Sequence, residues 1–226
     1  MKIAVLGTGM VGQTLAGRLA GLGHEVSVGT RDVEATLART EPDGMGNPPY
    51  RAWAQEHLEV RLVTFAEAAA GADLVVNATS GAVSIPALAA AGVENLAGKV
   101  LLDVANPLDF SRGFPPTLFV KDTDSLAEQI QREFPGARVV KALNTMTAPL
   151  MVDPRRLADG DHTVFVSGDD AEAKKTVIAL LEAFGHTDVI DLGDLSTARG
   201  TEMLLPVWVR LMGALNTPYF NFKIVR

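Results

Sequence analysis

A chain of 226 residues, 47% hydrophobic and 21% charged, suits one large α/β domain or one domain with a smaller appendage, and its composition is globular rather than disordered. The net charge of −7 argues against nucleic acid or an anionic membrane as partner, since both reward a basic surface. With no cysteine there is no disulfide, thiolate metal site or thiol nucleophile, and His24, His57, His162 and His186 lack metal-ligand spacing.

The N-terminal MKIAVLGTGMVG passes straight into a strand-and-glycine pattern without the apolar run of a signal peptide, so a cytoplasmic protein is expected. Further on, short apolar runs alternate with helical patterns, which predicts βαβ units and a parallel sheet. The first strand is expected over 2–6, a helix over 10–22 closed by Gly23, and the second strand over 24–29. Residues 40–50, TEPDGMGNPPY, are too rich in turn formers for regular structure. A short helix over 52–57, a strand over 60–63 and a brief helix over 65–72 follow. A strand over 73–77, a helix over 84–91 and a strand over 99–104 come next, then a Pro-rich loop over 106–117. An amphipathic helix over 125–134 and a strand over 137–142 are expected, then a strand over 162–167, a helix over 171–184, a strand over 188–191 and a C-terminal helix. The alternation of Phe220, Phe222 and Ile224 predicts a short closing strand.

The apolar stretch Met203–Leu215, interrupted by Pro206 and Arg210, falls well short of the ~20 residues a bilayer needs. It is expected as a helix facing the core or a second subunit, and a homodimer is predicted from it.

The strongest local signal is Gly7-Thr8-Gly9-Met10-Val11-Gly12, which follows a strand and opens a helix. Gly7 permits the tight turn, Gly9 lets the backbone approach a pyrophosphate, and Gly12 lets helix and strand pack closely. The helix N-terminus then offers free N–H groups and a positive dipole end to the anion. The expected fold is therefore α/β, a Rossmann-type doubly wound and mainly parallel sheet. Residues 1–146 form the dinucleotide-binding domain, and 147–226 a small helical extension packed on it.

The end of the second strand selects the dinucleotide. An NAD site places Asp or Glu there to hold the ribose 2′-hydroxyl. This chain has Gly29-Thr30-Arg31-Asp32. Arg31 can fork onto a 2′-phosphate and the Thr30 hydroxyl can donate to it, whereas Asp32 is placed to cap the next helix. NADP(H) is the expected cofactor.

These residues, with VVNAT (75–79), DVANP (103–107), VKALNTM (140–146), SGDD (167–170) and STARGTEMLLP (196–206), resemble the coenzyme F420-dependent NADP oxidoreductase family over nearly the whole chain. That family includes the NADPH-binding domain of the six-transmembrane metalloreductases. The resemblance implies NADP(H) at the glycine loop and second strand, with the nicotinamide over the carboxyl ends of the later strands. It places Asn77, Ala78 and Thr79, then Ala105, Asn106 and Pro107, then Asn144, Thr145 and Met146 around the nicotinamide and its ribose. It also implies a deazaflavin, F420, or a flavin as the small-molecule redox acceptor, beneath the C-terminal extension. The loop 40–56 is longer than the deazaflavin reductases lead one to expect.

A carbinol dehydrogenase needs a His, Lys or Tyr acid–base group beside the reacting carbon. No histidine falls at a strand carboxyl end, and Lys141 is the best alternative. Hydride exchange with a flavin or deazaflavin needs only two rings held face to face, and Asn144, Thr145 and Met146 are candidates to position them. Two other readings are an NADPH-dependent reductase of a small carbonyl or imine, with Lys141 or Asp103 as acid, and an NADPH sensor without turnover.

Overall fold

The computed structural model describes residues 1–42 and 46–226, so the middle of the expected loop 40–50 lies outside the described residues. The first βαβ unit is β1 (Lys2–Leu6), α1 (Met10–Gly21) and β2 (Glu25–Thr30). It is followed by α2 (Val33–Ala38), α3 (Tyr50–Glu56), β3 (Arg61–Thr64), α4 (Phe65–Ala70) and β4 (Leu74–Asn77). Next come α5 (Gly81–Ala91), α6 (Val93–Leu96), β5 (Val100–Asp103), a small hairpin of β6 (Leu108–Asp109) and β7 (Thr117–Leu118), α7 (Leu126–Glu133) and β8 (Arg138–Ala142). The chain ends with α8 (Ala148–Val152), β9 (Thr163–Gly168), α9 (Ala171–Phe184), β10 (Asp188–Asp191), α10 (Ala198–Met203) and α11 (Leu205–Leu215).

Eight strands form one sheet in the order β10-β9-β8-β5-β4-β1-β2-β3. Its central strands read as nearly continuous apolar runs because both faces are covered. Ile3, Val5, Leu74 and Val76 face the layer that holds Leu15 and Leu19 of α1 and Leu180 of α9. Ala4, Leu6 and Val75 face Ala69, Leu88 and Ile130 of α4, α5 and α7. Local signals fix the helix ends. Thr64 and Glu67 form a reciprocal capping box on α4, Ser125 caps α7, Asp170 caps α9, and left-handed Gly185 closes α9.

The sheet continues past residue 146, because β9 and β10 add to its edge. They pair parallel with each other, but β9 runs antiparallel to β8. The SGDD motif therefore begins level with the last rung of β4 and β5, Ser167 opposite Lys141, and runs away from the glycine loop, while the starts of β9 and β10 lie on the side of the carboxyl ends of the other six strands.

Three expectations are corrected. The Phe220–Ile224 segment forms no strand: its backbone reaches β9 only at Thr163, whose N–H donates to the Phe222 carbonyl (2.9 Å) and whose Oγ1 accepts from Ile224 N (3.0 Å), contacts too few for a ladder. The apolar C-terminal helix is two helices broken at Leu204, with Pro206 in the first turn of α11, where its missing N–H has no partner to lose. The Pro-rich loop contains the β6–β7 hairpin, whose two-residue strands are too short to show a period. No helix among the described residues is long and apolar enough to cross a membrane.

Candidate active site

The carboxyl edge of the sheet holds a cavity of about 300 Å³ over β1 and β2. Gly7, Thr8, Gly9, Thr30, Arg31, Ala78 and Thr79, all expected from the sequence, line it. The three glycines do separate jobs. Gly7 has φ +122°, and a Cβ there would lie 2.6 Å from the Ala78 carbonyl oxygen, so it lets the β1 and β4 loops touch. At Gly12 a Cβ would strike the Gly7 carbonyl oxygen, so this glycine seats α1 on the sheet. At Gly9 a Cβ would meet nothing within 4 Å. That open face, beside the first turn of α1 with no side-chain cap, leaves backbone N–H groups for an anion. Met10 lies on the outer side of this loop, against a smaller cavity of about 80 Å³ that reaches Tyr50. Val11 packs partly buried against the core. The Tyr50 hydroxyl is buried without a partner among the described residues, and desolvation pushes its pKa up to about 12.

At the end of β2, Asp32 accepts from Ala35 N (2.8 Å) and caps α2, so its carboxylate is turned toward that helix. Thr36 Oγ1 donates to the Asp32 carbonyl (2.7 Å), so the Thr30 hydroxyl, 2.8 Å away, is left to donate to Thr36. A hydroxyl has one proton. In this arrangement the Thr30 proton is directed to Thr36 rather than to the cavity, and Arg31 is the exposed cation at this strand end. Ala35, Thr36 and Arg39 also line the cavity and were missed.

Next to this cavity the last rungs of the sheet are polar and buried. Asn77, Asp103, Lys141 and Ser167 sit side by side in register on β4, β5, β8 and β9. Asn77 is fully buried. Its Nδ2 donates to Asp103 Oδ1 (2.8 Å) and Ser84 Oγ (3.0 Å), and its Oδ1 accepts from Thr79 Oγ1 (2.7 Å). Its side chain thus shapes the loop that carries Ala78 and Thr79 rather than facing the cavity.

Lys141 Nζ donates to Asp103 Oδ2 (2.8 Å) and to the Ala105 carbonyl, and lies 2.8 Å from Glu202 Oε1. Burial works against the ammonium, but the charges of Asp103 and Glu202 outweigh it and hold the pKa above the ordinary lysine value. Lys141 is thus 1% exposed, with its ammonium engaged on Asp103, Glu202 and the Ala105 carbonyl. Asp103 is equally engaged. Glu202 also accepts from Leu126 N (2.8 Å) and Ala127 N (3.2 Å), and Arg199 pairs with Glu128 through two nitrogens. The STARGTEMLLP segment is therefore the clamp that fastens α10 to the N-terminus of α7.

Asn106 Nδ2 donates to the Asn144 carbonyl (2.8 Å) and Asn144 Nδ2 to Asn106 Oδ1 (3.0 Å), tying the β5 and β8 loops together. Asn144 also donates to the Thr201 carbonyl (3.1 Å). Pro107 accepts from Phe119 N (3.0 Å) and anchors the hairpin. Ala105, Thr145 and Met146 are buried behind this pair, and Leu143 is held at φ +64°, a conformation costly for a non-glycine residue. His162 and His186 open β9 and β10 on this same edge, but His162 donates to the Pro154 carbonyl (3.0 Å) and His186 to that of Met151 (2.9 Å). Burial lowers the His186 pKa to about 4, so it stays neutral. Among the described residues no group of three His, Asp or Glu could hold a metal.

The open Gly9 face, the uncapped α1 N-terminus and a cation at the end of β2 fit a phosphorylated dinucleotide. Fold and site define a dinucleotide-dependent oxidoreductase. The family described as NADP oxidoreductase coenzyme F420-dependent matches residues 2–107. An F420-dependent NADP reductase of Methanothermobacter marburgensis is 32% identical over 215 residues, which cover 93% of this chain and 92% of that protein. Metalloreductase STEAP3 of Rattus norvegicus is 34% identical over 212 residues, 92% of this chain but 38% of the longer protein. A crystal structure from Arthrobacter sp. FB24 bearing the same F420-dependent reductase designation is 68% identical over the full length of both chains, with a TM-score of 0.97. The chain belongs to the coenzyme F420-dependent NADP oxidoreductase family and is an NADP-dependent oxidoreductase.

Proposed function

We propose that this enzyme exchanges hydride between NADP(H) and a deazaflavin of the F420 type. One observation carries the reading. The groups that sequence or topology offers as proton donors near the carboxyl edge, Lys141, Asp103, His162 and His186, are buried and engaged with protein partners. Direct transfer between two rings needs alignment rather than a general acid. The amide pair Asn106–Asn144, braced by Thr201, gives the β5 and β8 loops the rigidity such alignment demands.

Transfer from nicotinamide C4 to a deazaflavin forms a carbon–hydrogen bond that does not exchange with water, whereas transfer to a flavin nitrogen forms a nitrogen–hydrogen bond that does. NADPH deuterated at the transferring position should therefore give a reduced deazaflavin that retains the label. Loss of the label, or turnover with FMN or FAD and none with F420, rejects the deazaflavin. Tight NADPH binding without turnover on any acceptor makes the protein a sensor.

The exposed Met203, Val207 and Leu215 on α10 and α11 support the expected homodimer. Light scattering at micromolar concentration should give twice the 23.9 kDa chain mass, and a monomer mass rejects it.

A further inference from the structure

Helix α2 buries none of its own residues, so packing does not decide which way it faces. Polar contacts do: the Asp32 cap to Ala35 N, and the Thr36 hydroxyl bonded to the Asp32 carbonyl and to Thr30. They turn one face of the helix toward the cavity, the face of Asp32, Ala35, Thr36 and Arg39 at spacing i, i+3, i+4 and i+7. Ala35 and Thr36 are small and line the same cavity as Arg31. Arg39, at the far end of the same face, lines both this cavity and the smaller one beside the glycine loop. Neither arginine forms a hydrogen bond or ion pair with another described residue. No lysine stands on α2.

A 2′-phosphate carries close to two negative charges at neutral pH, in a chain whose own charge is −7. One guanidinium leaves that charge half met. We propose that Arg39 is a second specificity-determining residue, which grips the cofactor 2′-phosphate from the side opposite Arg31. This deepens the NADP(H) assignment and rests on it. The short side chains of Ala35 and Thr36 form the floor on which the phosphate sits, and the fork geometry of arginine suits its oxygens.

The test is a titration of wild type, Arg31→Ala, Arg39→Ala and the double variant with NADPH, NADH and adenosine 2′,5′-bisphosphate. Arg39 is exposed at the end of a surface helix, so its removal leaves the core intact. A charge-assisted bond of ~1.5–3 kcal/mol corresponds to about 10–100-fold in affinity. Each single variant should therefore lose about 10-fold or more for NADPH and for the bisphosphate, with NADH within about 2-fold of wild type. The double variant should bind NADPH and NADH alike. Equal losses for NADPH and NADH in Arg39→Ala, or no loss for either, overturn the role of Arg39 while leaving Arg31 and the cofactor assignment standing. A wild type that binds NADPH no better than NADH overturns the phosphate reading altogether, Arg39 included.

Discussion

Lys141→Met should unfold the protein far more readily than wild type, with Tm lower by roughly 10 °C. The substitution keeps most of the side-chain volume but leaves Asp103 and Glu202, at 0% and 1% exposure, without their cation. Removing one partner of a buried ion pair costs about 3–5 kcal/mol, and each kcal/mol lowers Tm by roughly 2–4 °C in a chain of this size. Adding Glu202→Gln should restore part of the loss, because one stranded charge disappears. Differential scanning calorimetry of the single and double variants measures both effects. A variant of wild-type Tm that binds NADPH normally yet has no turnover would return Lys141 to the role of catalytic acid and favour a carbonyl or imine substrate.

Gly9→Val should abolish NADPH binding, by more than 100-fold, and leave the fold almost untouched. The backbone at Gly9 has φ −76°, an ordinary value for any residue, and a Cβ there meets no protein atom within 4 Å. The branched side chain would occupy the space through which the pyrophosphate approaches the α1 N-terminus. A poorer helix cap is the expected stability penalty, about 1 kcal/mol or less. The neighbouring glycines serve as controls. Gly7→Ala must accommodate φ +122° and a contact with the Ala78 carbonyl, and Gly12→Ala a contact with the Gly7 carbonyl, so both should lower Tm. Isothermal titration alongside thermal unfolding separates the cases. Retained NADPH binding in Gly9→Val, or a Tm drop as large as in Gly12→Ala, contradicts the register assigned to the loop.

Much of this protein was legible along the chain, because its signals are local. The alternation of apolar runs and helical patterns gave the eight strands of the main sheet within a few residues, since each strand between two helical layers must be apolar on both faces. Gly7, Gly9 and Gly12 announced the dinucleotide loop, and Asp32 announced its cap, because turns and caps involve residues only a few positions apart.

What only the tertiary structure decided depends on partners far apart in sequence. No pattern marks Lys141 as the centre of an ion-pair cluster, since Asp103 lies 38 residues before it and its Glu202 contact comes from the last part of the chain. Nor does any pattern mark the buried bonds of the Asn77 side chain, since an amide at a strand end serves a loop or a ligand equally well and its Asp103 partner lies 26 residues on. The antiparallel entry of β9 brought His162 and His186 to the site edge, and strand direction leaves no mark on composition. Arg39 was missed for a related reason. Its face is legible only once α2 is known to be a helix, and a six-residue helix with no buried residue shows no apolar period from which to read it.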